Sequence, residues 1–154
     1  MIRVGENEMK QYQVGYTTGV FDLFHIGHLN ILKHAKAQCE KLIVGVSSDE
    51  LVRHYKNKQV VIPFEERKDI VAGIRYVDEV VMQNNMDKLR AQEELEFDVV
   101  FVGDDWKNTP QWNEYEKEFN KRGVDVVYLP YTKETSSTQL RETLNIITGQ
   151  GKIG

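Results

Sequence analysis

Short apolar runs alternate with longer segments of helical periodicity along most of the chain. Five runs have the length and the branched or aromatic content of buried strands, at residues 13–17, 42–46, 76–82, 97–103 and 124–130. Helical segments follow them, from Ser48 and at residues 27–38, 63–76, 86–96, 111–121 and 137–147. Nearly continuous apolar strands that alternate with helices predict an α/β fold, a doubly wound five-stranded parallel sheet with helices on both faces.

Length and local composition predict a single domain. The chain has 154 residues, which is enough for one domain with a substantial core. We expect the polar, aperiodic residues 1–11 to form a flexible N-terminal extension and the glycine-rich residues 148–154 to form a frayed tail. The domain itself is predicted to span residues 12–147.

The residues that follow the predicted strands are the candidates for a ligand site. In an open parallel sheet, ligands bind beyond the carboxyl ends of the strands, where the strand order reverses. Residues 17–28, 103–106 and 131–138 follow the first, fourth and fifth strands and are therefore expected at this edge. Neither G-x-G-x-x-G nor G-x-x-x-x-G-K-[ST] occurs, so the main signatures of dinucleotide oxidoreductases and P-loop proteins are missing.

The stretch GYTTGVFDLFHIGHLNILKH, from Gly15 to His34, combines a strand, a glycine-containing turn and a helix start. The N-terminus of a helix favours an anion, because its first N–H groups are unpaired and lie at the positive end of the helix dipole. His25 and His28 are three residues apart and would share one face of the first helical turn. Gly27 lacks a side chain where a phosphate would approach the backbone.

Two simpler interpretations of these histidines are weaker. Ordinary turn histidines would not require the flanking Gly19, Phe21 and Asp22, with a strand before them and a helix after them. A zinc site is disfavoured because H-x-x-H supplies two ligands and lacks the glutamate of H-E-x-x-H. The single cysteine, Cys39, lies elsewhere, on the inner side of a helical pattern, and is expected in the core.

Composition and charge narrow the class of protein. Hydrophobic residues make up 40% and charged residues 29% of the chain, as in ordinary globular domains. The net charge of −4 argues against general binding of nucleic acid. No apolar run is long enough to span a membrane, and the first ten residues lack the apolar core of a signal peptide, so we expect no membrane association and a cytoplasmic location.

Positive charge is concentrated between Arg53 and Arg75. This interval holds six basic and three acidic residues, whereas the whole chain is acidic. A local positive patch on an acidic protein can attract a small polyanion, although a solvated helix face has the same composition. Imidazoles at a helix N-terminus together with such a patch suit transfer of a phosphate-linked group, which depends on positioning and charge neutralisation. An attacking phosphate oxygen is already anionic and needs no general base.

The order Thr-x-Gly-x-Phe-Asp-x-x-His-x-Gly-His resembles the signature of the nucleotidylyltransferase superfamily, whose fold is Rossmann-like. Three further segments in the same order narrow the resemblance to glycerol-phosphate cytidylyltransferases. They are EERK around Arg67, IRYVDEVV with Arg75, and VGDDW with Asp104 to Trp106. The loop YTKETSST stands where that family has a sequence like RTEGISTT, so the resemblance extends from Tyr16 to Leu144.

The resemblance implies a reaction and partners. Members of this family join CTP, as a substrate, and glycerol phosphate to give CDP-glycerol and pyrophosphate, and they pair as homodimers. We therefore expect CTP, a small phosphorylated acceptor and Mg²⁺ to bind. Cytidylyl- or adenylyltransferases acting on glycerol 2-phosphate, phosphocholine, phosphoethanolamine or sugar phosphates share the same motif order and remain alternatives, as does a nucleotide-binding module without turnover. Retention of a transition-state constellation argues against the last of these.

The resemblance also implies roles for individual residues. His25 and His28 would hold the α-phosphate of CTP, while Lys56 or Lys58 and Arg67 would contact the triphosphate or the acceptor phosphate. The other residues expected around the nucleotide are Thr17, Thr18, Gly19, Val20, Phe21, Asp22, Gly27, Arg75, Gly103, Asp104, Trp106, Tyr131, Thr132, Lys133, Ser136, Ser137 and Thr138. No metal ligand is assigned among them.

One position departs from the family pattern. The loop normally begins with arginine, and here it begins with Tyr131, whose single hydroxyl cannot replace a charged planar fork of donors. Lys133 lies two residues further on, on the same side of an extended segment, and could compensate for the lost charge. The identity of the acceptor is therefore the part of the function that the sequence specifies least.

Overall fold

Strands and helices alternate through the computed structural model, which describes residues 10–130 and 137–147 apart from the side chain of Thr138. The strands are β1 (Tyr12–Gly19), β2 (Cys39–Ser47), β3 (Glu79–Gln83), β4 (Val99–Gly103) and β5 (Asp125–Leu129). The helices are α1 (Ile26–Lys36), α2 (Asp49–Lys56), α3 (Phe64–Ala72), α4 (Lys88–Leu95), α5 (Pro110–Lys121) and α6 (Ser137–Ile147), with a 3₁₀ turn at Asp104–Trp106. In this part of the chain, no helix is long and apolar enough to cross a membrane. Residues 1–9 and 148–154, within the predicted terminal segments, lie outside it.

The five strands form one sheet in the order β3-β2-β1-β4-β5, and every pairing is parallel. The central strand, β1, pairs with β2 on one side and with β4 on the other, for example through Thr17 opposite Val44 and Tyr16 opposite Val100. The chain first adds strands on the β2 side and then returns to the β4 side. The strand order therefore reverses beside β1, and the predicted five-stranded parallel α/β fold is confirmed.

Helices cover both faces of the sheet. Successive strand residues point to opposite faces, so each strand contributes side chains to both sides. On one face, the buried cluster includes Leu32 of α1, Val44 of β2 and Val71 of α3. On the other face, it includes Trp112 and Phe119 of α5. Two separate cores explain why the strands are apolar almost throughout rather than alternating in polarity.

Arg67 on α3 has a fully enclosed guanidinium, with 1% of the residue exposed. Its Nε donates to the carbonyl oxygen of Ile62 at 2.7 Å, and its Nη1 donates to the carbonyl oxygens of Val20 and Ser47, each at 2.8 Å. Its Nη2 pairs with the carboxylate of Asp49. The side chain thereby joins the loop after β1, the end of β2 and the segment that precedes α3.

Replacing Arg67 with methionine should lower the free energy of unfolding by about 3 kcal/mol, because several buried carbonyl oxygens would lose their donors. Arg67→Lys should recover little of this, since an ammonium group cannot reach the same partners with a planar fork. Urea unfolding measures both losses. The matched control is Arg90→Met, at an exposed arginine of α4 that is paired with Glu94 one turn away. Equal losses in Arg67→Met and the control would contradict the assignment.

Candidate active site

A cavity of about 600 Å³ opens at the carboxyl ends of β1 and β4. This is the position beside β1 where the strand order reverses, and where open α/β sheets bind ligands. Many of the residues predicted from the sequence lie in its wall, namely Thr17, Thr18, Gly19, Val20, Phe21, Asp22, His25, Gly27, His28, Lys56, Lys58, Gly103, Trp106 and Ser137. The fold thus brings four separate segments of the sequence to one site.

The two histidines form a reciprocal cap at the N-terminus of α1. The Nδ1 atom of His25 accepts a hydrogen bond from the backbone N–H of Gly27 at 3.0 Å. The Nδ1 atom of His28 accepts one from the backbone N–H of His25 at 3.1 Å, and the two ring centroids are 3.9 Å apart. Because both Nδ1 atoms are acceptors, each neutral ring carries its proton on Nε2. Both rings therefore present an N–H donor from Nε2.

Burial keeps these donors uncharged. It lowers the pKa of His28 to about 3, an effect strengthened by the neighbouring His25 and opposed by the carboxylate of Asp22. The pKa of His25 is also lowered by burial. A neutral N–H donor can stabilise charge that develops on a phosphate without itself changing protonation state.

Cations from two segments face the same cavity. Lys56 ends α2, Lys58 follows it, and Arg141 of α6 lines the wall close to them. The pKa of Lys56 is lowered by partial burial and by the charges of Lys58 and Arg141. Three positive groups close together in one cavity wall form a site for a polyanion. Arg141 was not predicted from the sequence, although a basic residue in the first turns of the last predicted helix was a usable signal.

Lys88, the first residue of α4, is a second residue that the sequence analysis missed. It lies in the cavity wall with only 7% of its surface exposed. Within the described part of the chain, the one hydrogen bond of its ammonium group joins Nζ to Oγ1 of Thr18 at 3.3 Å. Burial lowers the pKa of Lys88 to about 8. No carboxylate among the described residues pairs with this ammonium, and a buried unpaired ammonium is costly unless an anion binds to it. Its signal in the sequence was a lysine at a helix start just after a strand.

Three predicted residues lie outside the cavity wall. Arg67 is enclosed by the carbonyl groups described above, so its donors are already occupied within the protein. Arg75 lies over the ring of Tyr76 on the exposed surface. Asp104 begins the exposed 3₁₀ turn, and of its neighbours Gly103 and Trp106 reach the wall. In this structure, none of the three is placed to contact a ligand in the cavity.

The last predicted loop falls largely outside the described residues. Tyr131, Thr132, Lys133 and Ser136 belong to this group, as does the side chain of Thr138. Their predicted phosphate contacts, and the compensation of Tyr131 by Lys133, stay predictions. Ser137 is described, and its hydroxyl donates to the carbonyl oxygen of Asp22. It therefore attaches the start of α6 to the histidine loop, residues 20–25 between β1 and α1.

The fold and the site together define a nucleotidyltransferase. A parallel sheet presents paired neutral imidazoles at a helix N-terminus, and cations line the same cavity at the point where the strand order reverses. These are the groups needed to hold a polyphosphate and to stabilise charge during its transfer.

Comparison with known sequences agrees with this class. Residues 16–143 match the cytidylyltransferase-like family, and the chain belongs to that family. It is 38% identical over 130 residues to glycerol-3-phosphate cytidylyltransferase of Bacillus subtilis (strain 168), covering 83% of this chain and 94% of the relative. It is 33% identical over 129 residues to the Staphylococcus aureus enzyme of the same name, covering 83% and 92%. It is also 36% identical over 118 residues to FAD synthase of Thermococcus kodakarensis, covering 73% and 76%.

Two solved structures have similar folds. The lipopolysaccharide core biosynthesis protein from Thermoplasma volcanium GSS1 superposes with a TM-score of 0.67 at 26% identity, covering 80% of this chain and 99% of that one. Pantoate-beta-alanine ligase from Francisella tularensis has a TM-score of 0.65 at 14% identity, covering 98% of this chain and 73% of that one. At that identity, the second similarity concerns the fold alone.

In the ligand-free protein, His28 should remain a neutral Nε2–H imidazole down to about pH 5, because burial lowers its pKa far below the usual value near 6.5. His25 should carry its proton on Nε2 as well, and it should titrate below the usual range. Two-bond ¹H–¹⁵N NMR spectra recorded across a pH series distinguish the tautomers and the imidazolium form. The exposed His34 and His54 serve as reference signals. An Nδ1–H tautomer at either site would contradict the capping geometry.

Proposed function

We propose that this protein is a cytidylyltransferase that joins CTP to glycerol phosphate and releases CDP-glycerol and pyrophosphate. The observation that carries the proposal is the His25–His28 pair, two neutral donors at a helix N-terminus in a cavity that also holds Lys56, Lys58 and Lys88. The names of the Bacillus and Staphylococcus relatives point to glycerol 3-phosphate as the acceptor.

The reaction needs positioning rather than a protein nucleophile. An oxygen of the acceptor phosphate attacks the α-phosphorus of CTP and forms a new P–O bond. The bond from the α-phosphorus to the oxygen that bridges to the β-phosphorus breaks, and pyrophosphate leaves with that oxygen. The attacking oxygen is already anionic at neutral pH, so no side chain has to remove a proton. The protein contributes alignment and stabilisation of negative charge.

We assign different phosphate groups of CTP to different side chains of the cavity. His25 and His28 would donate from Nε2 to the α-phosphate, where charge increases in the transition state. Lys56, Lys58 and Arg141 would hold the β- and γ-phosphates, because together they form the larger cluster of positive charge in the described cavity wall. The pyrophosphate that leaves would keep these contacts.

Lys88 would bind the phosphate of the acceptor. The pKa of Lys56 is lowered in part by Lys58 and Arg141, whereas burial accounts for the lowered pKa of Lys88, so Lys88 stands apart from that cluster. It contacts Thr18 at the end of β1, just before the loop that leads to the histidines. A second anion-binding point near the reacting centre is what a two-phosphate reaction requires.

Mg²⁺ is expected to accompany the triphosphate. Residues 10–130 and 137–147 contain no group of three histidine, cysteine, aspartate or glutamate side chains that could hold a metal ion. These residues therefore offer no site of that kind for a resident ion, and no step proposed above passes through one.

The homodimer and the cytoplasmic location expected from the sequence also stay predictions. Sedimentation velocity would test whether the protein is a homodimer.

Incubating the protein with CTP or ATP and a panel of acceptors tests the function through release of pyrophosphate. We expect release with CTP and glycerol 3-phosphate, in the presence of Mg²⁺, and much less with ATP. Parallel assays with glycerol 2-phosphate, phosphocholine, phosphoethanolamine and a sugar phosphate identify the acceptor.

His28→Ala should lower kcat by roughly 10²- to 10³-fold, the scale for loss of one transition-state donor. His34→Ala, at an exposed histidine of the same helix, is the control.

Pyrophosphate release with a different acceptor would replace glycerol phosphate in the proposal and leave the reaction type intact. A folded protein that releases none with any pair of substrates would overturn the enzymatic function.

Lys88→Met should raise the KM for the acceptor by about 10²-fold, as for loss of a charged hydrogen bond to phosphate, with a smaller effect on the KM for CTP. In the wild-type enzyme, kcat/KM for the acceptor should fall as pH rises through about 8, because Lys88 is charged below its pKa of about 8 and neutral above it. Steady-state kinetics across a pH series measure both. Lys117→Met, at an exposed lysine of α5, is the control. Equal effects on the two KM values would remove Lys88 from the acceptor subsite.

A further inference from the structure

Asp22 has a nearly fully buried carboxylate in the loop between β1 and α1, with 2% of its side chain exposed. Its Oδ2 accepts from the backbone N–H of Val61 at 2.8 Å, and its Oδ1 accepts from the backbone N–H of Ile62 at 2.9 Å. The guanidinium of Arg141 on α6 pairs with Oδ2. One carboxylate thus joins three segments that are distant in the sequence.

The backbone at Asp22 takes part in the same junction. Its carbonyl oxygen accepts the hydroxyl of Ser137 at the start of α6. The neighbouring Phe21 and Leu23 have φ angles of 55° and 52°, in the left-handed region that bulky residues rarely adopt. Strained residues of this kind persist when surrounding contacts hold them, and they concentrate at functional sites. Here they flank Asp22, whose carboxylate binds both α6 and the lysine segment, residues 56–62, which carries Lys56 and Lys58.

Arg67 forms a second set of hydrogen bonds that holds the segment at residues 61–62. The carbonyl oxygen of Ile62 accepts from Nε of Arg67, and Nη1 of Arg67 also binds the carbonyl oxygen of Val20 in the histidine loop. The peptide groups of Ile62 are therefore held through N–H by Asp22 and through C=O by Arg67. Residues 61–62 form the fixed end of the segment that carries Lys58.

We propose that Asp22 is a positioning residue that holds the lysine segment and α6 against the histidine loop, so that Lys56, Lys58 and Arg141 face the histidines. In this assignment the carboxylate makes no contact with the nucleotide, which differs from the contact expected from the sequence. Its two oxygens are taken by three protein donors, and solvent scarcely reaches them. The role rests on the proposed function, because it concerns where the phosphate-binding cations lie.

A positioning residue acts through the groups it places, so its effect should disappear when those groups are absent. Asp22→Asn should lower kcat/KM for CTP by about 10²-fold, the scale for misplacing substrate-binding groups. The same change should have less than about a threefold effect in a variant that already carries Lys56→Ala, Lys58→Ala and Arg141→Ala. Effects that multiply would show that Asp22 contacts the substrate directly and would overturn the proposal.

Asp98→Asn is the matched control, because the carboxylate of Asp98 also binds two backbone N–H groups, those of Gln13 and Val14, at a place outside the cavity wall. It should lower the melting temperature without changing kcat/KM of the folded protein. If Asp22→Asn behaves in the same way, its role is structural only and the proposal fails. Should Asp22→Asn not fold, Asp22→Glu enters the same comparison, since it keeps the charge and displaces it by one methylene.

Binding of inorganic tripolyphosphate, measured by calorimetry, separates this proposal from the proposed function. Asp22→Asn should weaken that binding in the otherwise wild-type chain, and it should have little further effect in the variant without the three cations. This result would support the positioning role even if no nucleotide were turned over. Unchanged tripolyphosphate affinity in a folded Asp22→Asn protein would overturn it, whatever the activity assay shows.

Discussion

Two buried ionic side chains, Asp22 and Arg67, satisfy the backbone groups of the loops above the sheet. Asp22 accepts from two N–H groups, and Arg67 donates to three carbonyl oxygens. Loops that pack beneath a cavity cannot leave such groups without partners, since each unpaired buried group destabilises the fold by about 1–3 kcal/mol. Charged partners form the stronger hydrogen bonds, and one side chain can serve several peptide groups at once. The cavity wall therefore depends on the hydrogen bonds of Asp22 and Arg67.

The charge of the cavity comes from the side chains that are not engaged in these contacts of Asp22 and Arg67. Asp22 is occupied by the protein, so it does not neutralise Lys56, Lys58 and Lys88, and burial lowers the pKa of Lys56 and of Lys88. The histidines add donors without adding charge, because burial lowers the pKa of each. In the function that we propose, a polyphosphate would relieve this imbalance when it binds. Groups arranged before the substrate arrives need little reorganisation during the reaction.

Structural features formed by residues close together in the sequence could be predicted without a structure. The alternation of strands and helices predicted the parallel sheet, because buried strands and amphipathic helices have distinct periods. The histidine cap involves residues only two and three positions apart, so the motif and its place at the start of α1 could be predicted together. Family resemblance then supplied the order of the remaining motifs.

The sequence by itself determined the fold class, and it predicted the edge of the sheet at which the cavity opens and the two histidines in its wall. Only the tertiary structure decided that Arg67 is enclosed by carbonyl groups, that Lys88 reaches Thr18 across 70 positions, and that Arg141 pairs with Asp22 across 119. A basic residue has the same local pattern whether it meets a phosphate, a carbonyl group or water. Its role depends on which distant backbone and side-chain groups surround it, and folding alone brings those together.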